Sequence, residues 1–205
     1  IEINLPDNLN SAIELSKKNN PDLKISEFEY QQSKKDTSYA KSDLAPKATL
    51  SYDKTQTEDL SATYDEREKD VLKATVTWPF YSGGKNMATF KKNQSLELQK
   101  SLLLDDMIKK NQTNVASAWS SFQSNQSLLN SVKSQVNAAE IASEGILAEY
   151  NSGSNKRTTL EVIQSNSLLL DAQISLADSE RNYILSQFNL LKSVGLLNST
   201  YLKIK

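Results

Sequence analysis

The stretch TVTWPFYSGGK, residues 75–85, carries an alternating apolar and polar run into a proline, two aromatics and a Ser-Gly-Gly turn. Just upstream, Leu72, Ala74, Val76 and Trp78 fall on one side of an extended chain, with Lys73, Thr75 and Thr77 on the other. That period of two is the signature of a strand with one apolar and one wet face. Downstream, between Lys85 and Tyr150, there is no proline, and Gly145 is the only glycine. The spacing therefore predicts a strand that ends at Pro79, which needs no amide hydrogen for the ladder, and a bend at Gly83 and Gly84. It also predicts a helix over 85–150, about 65 residues and on the order of 100 Å long at the helical rise.

That long helix repeats its apolar residues every seven positions. Ile108, Val115, Phe122, Leu129 and Val136 form one register, and Val132, Ala139 and Ile146 a second, as in a left-handed coiled coil. After NSGSN, residues 151–155, a second helix is expected over 156–194. Leu160, Ile163, Ser167, Leu170, Ile174, Ala177, Arg181, Ile184, Phe188 and Leu191 supply its three-four alternation, and Gly195 closes it.

Working toward the N-terminus, KATLSYDKTQTED alternates as well, with Ala48, Leu50 and Tyr52 opposite Lys47, Thr49, Ser51 and Asp53. Together with the first strand it predicts a β-hairpin over 46–80, whose polar stretch LSATYDEREKD forms the connecting loop. The apolar face suits either a soluble hairpin half-covered by a helix or a barrel segment with lipid outside and water inside. A helix over 21–44 starts at Pro21 with a thin stripe of Leu23, Phe28, Tyr30, Tyr39 and Ala40, and ends at Ala45-Pro46. Before it, an extended opening leads into a brief helix that Asp7 or Asn8 can cap. The tail after Gly195 has room for one further short element. Helices 21–44 and 156–194 together match the length of the single long one, so the expected architecture is mainly α: antiparallel coiled-coil helices with a two-stranded hairpin at one end.

Composition narrows the function. Of 205 residues only 38% are hydrophobic, with five glycines and four prolines, which favours long helices over a thick core. Lys plus Arg is 24 and Asp plus Glu 25, a net charge of −1, so no basic field exists to hold a nucleic-acid backbone. The chain has no Cys and no His, which removes thiol nucleophiles, imidazole bases and most metal and haem chemistry. No cofactor and no metal site is expected, and no enzymatic activity. Asp105-Asp106 and the run from Glu66 to Asp70 read as a helix surface and a loop tip, and Trp119 and Phe122 as seam packing. No run reaches the roughly twenty apolar residues of a membrane-spanning helix, so any crossing would need closed β-structure. The start at Ile1 suggests a processed protein or a portion of a longer one.

Four pieces, in this order and spacing, resemble the TolC-type outer-membrane efflux proteins: NPDLKISEFEYQQSKKDTSYAKSDLAPKATLSYD, TVTWPFYSGGK, YNSGSNKRTTLEVIQSNSLLLDAQ and NYILSQFNLLKSVGLL. They cover nearly the whole chain. The resemblance implies a passive conduit of a tripartite efflux or type I secretion system in the cell outer membrane and periplasm of a Gram-negative bacterium. It would be a trimeric β-barrel continued by a helical tunnel. Implied partners are a periplasmic adaptor protein, an inner-membrane pump and outer-membrane lipid. Family members are internally duplicated, and residues 1–205 resemble a single repeat, the C-terminal half. The assembly would then be a homotrimer, or a hexamer if the chain as given is complete.

The resemblance also assigns residues. Tyr150, Arg157 and Glu161 fall on the positions of the family's periplasmic gate, and Gln164 stands where its second acid would be, in a turn slightly longer than the family's. An ordinary solvated turn with an Arg157–Glu161 pair is the plainer alternative, and Glu161 from neighbouring chains would form a cation-selecting ring. Tyr52, Trp78, Phe80 and Tyr81 suit an aromatic belt at the membrane interface, or packing at the hairpin base. Pro46, Pro79, Gly83 and Gly84 mark the strand–helix junction. The rival of another class is a soluble periplasmic coiled-coil rod or adaptor, which would leave the hairpin face covered rather than in lipid.

Overall fold

The computed structural model describes residues 5–61, 64–153 and 157–198. In chain order these form α1 (Leu9–Asn19), α2 (Pro21–Ser42), β1 (Lys47–Ser61), β2 (Tyr64–Thr77), α3 (Lys85–Asn151) and α4 (Thr159–Val194). The extended opening, the element expected in the tail beyond residue 198 and a helix start at Lys156 fall outside the described residues. The chain divides into two compact units, one of Ile1–Ile25 with Asp105–Lys205 and one of Ser26–Leu104.

In the first unit, α1 is capped by Asn8, whose side chain accepts from the Ser11 amide at 2.8 Å. The inward side of α3 follows the expected heptads: Val115, Phe122, Leu129 and Val136 are buried, with Val132 in the second register. Phe122 packs between Trp119 and Tyr183, each with ring centroids 5.8 Å away. Ala12, Val115, Phe122, Leu190 and Val194 form the core.

The seam of α4 is two residues away from the expected one. Its buried positions are Ser165, Ala172, Ser179 and Ser186, seven residues apart, flanked by half-buried Val162, Leu169, Leu176 and Tyr183. Most of the large apolar residues expected to line the seam face outward, Leu160 being 62% exposed and Leu170 56%, whereas Leu191 at the end of α4 is fully buried and Phe188 half-buried. Two residues are about 200° of helix rotation, so α4 has two nearly opposite apolar faces. The reason is volume: α3 contributes Phe, Leu and Val at its heptad positions, and a close-packed interface needs small partners opposite them. Among the described residues Ser179 Oγ has no hydrogen-bond partner.

In the same unit a polar hub replaces apolar packing where α1 meets α2. Asn20 closes α1 and caps α2, its Oδ1 accepting from the Asp22 amide at 2.9 Å and the Leu23 amide at 3.4 Å. Its Nδ2 donates to Asn111 Oδ1 at 2.9 Å and to the Ser193 carbonyl at 3.1 Å, and Asn111 Nδ2 donates to Ser16 Oγ at 2.8 Å. Gly195 ends α4 in the left-handed region at φ 80°.

In the second unit, α2 turns Tyr30, Ser33 and Ala40 inward, while Phe28 and Tyr39 of the expected stripe are exposed; Leu23 of that stripe is buried within the first unit. It ends at Ser42, two residues earlier than expected, because Leu44 and Ala45 bond back to the carbonyls of Lys41 and Ser42 in a tight turn before Pro46. β1 and β2 pair antiparallel, with Ala48 opposite Val76, Leu50 opposite Ala74 and Tyr52 opposite Leu72, so the two apolar faces coincide. The stretch expected as a loop is mostly strand. Arg67, Lys69 and Asp70 are ladder residues opposite Thr57, Thr55 and Lys54, not a loop tip, because backbone pairing continues past the last apolar row and cross-strand ion pairs such as Lys54–Glu68 support it.

Candidate functional site

Three places in the structure carry the residues singled out from the sequence. The first is the junction between hairpin and helix. β2 ends at Thr77, Pro79 follows without an amide to pair, and Gly83 and Gly84 take φ values of 61° and 80°. Only glycine adopts such values without strain, and they turn the chain into α3. Two side chains hold this corner to the end of α2: Asn86 Nδ2 donates to the Asp43 carbonyl at 3.2 Å, and Trp78 Nε1 to the Leu44 carbonyl at 3.3 Å. Those carbonyls lie beyond the last turn of α2 and have no helical partner. Asn86 was not singled out from the sequence. Its only signal there was its place in the first turn after Gly84.

The second place is the hairpin face. Leu50 and Leu72 are each 71% exposed and Val76 72%; no helix among the described residues covers them. Tyr52 and Trp78 bracket the apolar rows. Next beyond Tyr52 on the same face the side chains are charged, and the Tyr52 hydroxyl lies 3.1 Å from Asp70 Oδ1. Phe80 and Tyr81 follow Trp78, both exposed. From Leu72 to Trp78 the strand rises about 20 Å.

The third place is the turn between α3 and α4. Arg157 Nε donates to Glu149 Oε2 at 2.6 Å, and its Nη1 lies 3.4 Å from Glu161 Oε1. Glu161 also completes a capping box: its Oε2 accepts from the Thr158 amide at 2.7 Å, and its own amide donates to Thr158 Oγ1 at 3.3 Å. The Tyr150 hydroxyl lies 3.2 Å from Thr159 Oγ1 across the turn. The turn thus brings Tyr150, Arg157 and Glu161 into one neighbourhood, whereas Gln164, one helical turn further along α4, stands exposed and apart from these bonds. Glu149, Thr158 and Thr159 were missed from the sequence. Thr158-x-x-Glu161 is a legible capping box that sets the helix start at Thr159, but Glu149 pairs across the turn and has no local signal.

Electrostatically, hydrogen bonds from the Thr158 amide and hydroxyl, aided by Arg157, hold the Glu161 carboxyl below the ordinary carboxylate range. Glu149 first, and Glu161 second, raise the Arg157 guanidinium above its usual value. A lowered carboxyl contributes stability above its unfolded pKa and loses it as pH falls through its folded value. Glu161→Ala should therefore destabilise the start of α4 at pH 6, and the difference from the unchanged protein should shrink as pH is lowered through the carboxylate range. Paired thermal melts at the two pH values measure this. An undiminished difference at low pH would contradict the capping role of the ionised carboxylate.

Among the described residues no cluster of three His, Cys, Asp or Glu could hold a metal ion. Asp105 and Asp106 lie on the surface of α3, where Asp106 pairs with Lys110 at 2.7 Å. No described helix is long and apolar enough to cross a membrane.

Residues 12–196 match the family described as outer membrane efflux protein. The outer membrane efflux protein BepC of Brucella suis biovar 1 (strain 1330) is 25% identical over 130 residues, covering 63% of this chain and 28% of the relative. The outer membrane protein TolC of Escherichia coli (strain K12) is 26% identical over 151 residues, 72% of this chain and 30% of the relative. Among solved structures, that of CusC, described in connection with folding and transmembrane channel formation, superposes with a TM-score of 0.82 at 12% identity. That superposition covers 94% of this chain and 44% of CusC. The chain thus spans less than a third of the length of these curated relatives.

Proposed function

Because the chain belongs to the outer membrane efflux protein family, we propose that it is one repeat of a passive efflux conduit of the Gram-negative outer membrane. In this reading the hairpin enters a trimeric β-barrel, or a hexameric one if each subunit holds a single repeat. The helices build a periplasmic tunnel that meets an adaptor protein and an inner-membrane pump, in a tripartite efflux or type I secretion system. The chain itself would perform no chemistry.

The observation that carries this reading is the uncovered apolar face of the hairpin, bracketed by Tyr52 and Trp78 and backed by a wet face. In water such a face is an aggregation hazard; in lipid it is the outward side of a barrel strand with aromatics at its borders. The outward apolar stripe of α4 supports the same assembly, since a helix with two opposite seams fits between two neighbours. Tyr150, Arg157 and Glu161 would then form the gate at the far turn. Opening requires Arg157 to leave Glu149 and Glu161.

Leu50, in the middle apolar row, tests the lipid assignment. An arginine at the bilayer midplane costs a barrel about 2–4 kcal/mol, so Leu50→Arg should reduce heat-stable oligomer in outer-membrane fractions, whereas Ser51→Arg on the wet face should not. Equal recovery of both variants would argue for a soluble rod. In planar bilayers, unchanged conductance of both Arg157→Ala and Glu161→Ala would remove these residues from the gate.

A further inference from the structure

The seam between α3 and α4 has an inverted counterpart on the outer edges of the same two helices. Across the inner seam α3 supplies the large residues and α4 the small ones. On the outer edges the sizes are exchanged. α4 exposes Ile163, Leu170, Ile174, Ala177 and Ile184, and α3 exposes Ser117, Ser120, Ser124, Ser127, Ser131 and Ser134 at a strict alternation of three and four. The hydroxyls of Ser117, Ser120, Ser124 and Ser127 make no hydrogen bond among the described residues. Arg181 interrupts the α4 stripe; its nearest acid, Asp178, lies 3.6 Å away, too far for a hydrogen bond.

We propose that the outer stripe of α4 docks into the serine edge of α3 on a second copy of this chain, where Arg181 donates to Ser124 Oγ and Ser127 Oγ. The proposal rests on the ring-forming reading above. Large aliphatic knobs need holes, and serines leave them. A guanidinium entering an apolar seam needs acceptors, which the two hydroxyls supply. Height along the helices fixes the pairing. α3 and α4 run antiparallel, and Tyr183 stacks on Phe122 with ring centroids 5.8 Å apart. Counting back along α4 and forward along α3 brings Arg181 level with Ser124, and Ile174 level with Ser131. The bond from Ser143 to Asn166 keeps that count to about one helical turn. Rotation about an axis along the helices leaves heights unchanged, so the same pairs meet between copies. From Leu160 to Ile184 the stripe rises about 36 Å and is about 10 Å wide, so one seam covers about 800 Å² counting both partners. A stable pair needs about 1,200 Å² or more. Because stripe and edge are different surfaces, the contact repeats until a ring closes, and each copy then buries both of its edges.

Disulfide trapping tests the pairing, since the chain has no cysteine of its own. In outer-membrane fractions of the native protein, Ile174→Cys with Ser131→Cys, once oxidised, should give a ladder of covalent multimers on a non-reducing gel. Arg181→Cys with Ser124→Cys should do the same and carries the test alone if Ile174→Cys prevents assembly. Ile174→Cys with Thr113→Cys is mismatched by about 27 Å of height, so its yield should be at least about tenfold lower. Equal yields from matched and mismatched pairs would overturn the docking. If heat-stable oligomer is recovered but neither matched pair cross-links, another helix covers α4; this inference then fails while the ring reading stands. If the unaltered protein yields no oligomer, both fail.

Discussion

Gly195→Ala is expected to destabilise the protein by about 3 kcal/mol, the sum of a left-handed backbone strain and an overpacked contact. Gly195 closes α4 at φ 80° and receives its Schellman-type bonds, its own amide reaching the Lys192 carbonyl and the Leu196 amide the Leu191 carbonyl. A Cβ there would stand 2.7 Å from the Asn19 carbonyl oxygen and 2.7 Å from the Asn20 Cα. Both are backbone atoms of the α1–α2 corner and cannot swing aside. For a chain of this size the loss corresponds to a melting temperature lower by roughly 10 °C. Gly153 provides the control: it is also left-handed, at φ 71°, but a Cβ there meets nothing within 4 Å. Gly153→Ala should thus cost only the backbone part, about 1 kcal/mol. Equal melting temperatures for the two variants would show that the approach of α4 to the α1–α2 corner is not tight.

The second large effect belongs to Asn20. Asn20→Ala removes the cap of α2 and leaves Asn111 Oδ1 and the Ser193 carbonyl without their donor. A lost cap costs about 1 kcal/mol and a buried acceptor left unsatisfied about 1–3 kcal/mol, so a total near 3 kcal/mol is expected. Asn20→Ser separates the two contributions, since a serine hydroxyl can cap α2 but is too short to reach both Asn111 and Ser193. It should recover about a third of the loss. Because Asn20 and Asn111 belong to one network, Asn20→Ala and Asn111→Ala together should cost clearly less than their sum. Strict additivity in denaturant melts would mean that the buried amides act independently and that the hub is not a unit.

Gly195 is legible in the sequence as a helix end, but its close approach to Asn19 and Asn20 is not, and Asn20 and Asn111 are residues that periodicity passes over. Asn20 reads as punctuation before Pro21, and Asn111 as a polar gap in an apolar heptad. Their value comes from one another, across ninety-one positions of chain. The turn at Arg157 divides in the same way. The Arg157–Glu161 pair is legible from its i, i+4 spacing, and the capping box from Thr158-x-x-Glu161, because both follow from helix geometry within one turn. The Glu149 carboxylate 2.6 Å from Arg157 Nε is not legible, because it depends on how the intervening turn folds back. At the junction, Pro79, Gly83 and Gly84 announce a break by their own backbone limits, whereas Asn86 and Trp78 acquire their role only when the end of α2 lies beside them.

The sequence by itself determined the helices, the inward face of α3 and the matched apolar faces of the hairpin, since each follows from local backbone preference and side-chain period. Family resemblance was likewise legible, through the strand–proline–helix phrase at Thr75–Lys85 and its companions. Only the tertiary structure decided which face of α4 lies against α3. Hydrophobic periodicity finds the greasiest stripe of a helix, here Leu160, Ile163, Leu170 and Ile174, but packing against Phe122, Leu129 and Val136 selects the stripe with room for them, here Ser165, Ala172, Ser179 and Ser186. Close packing depends on the sum of volumes across an interface, and one helix read alone contains only half of that sum.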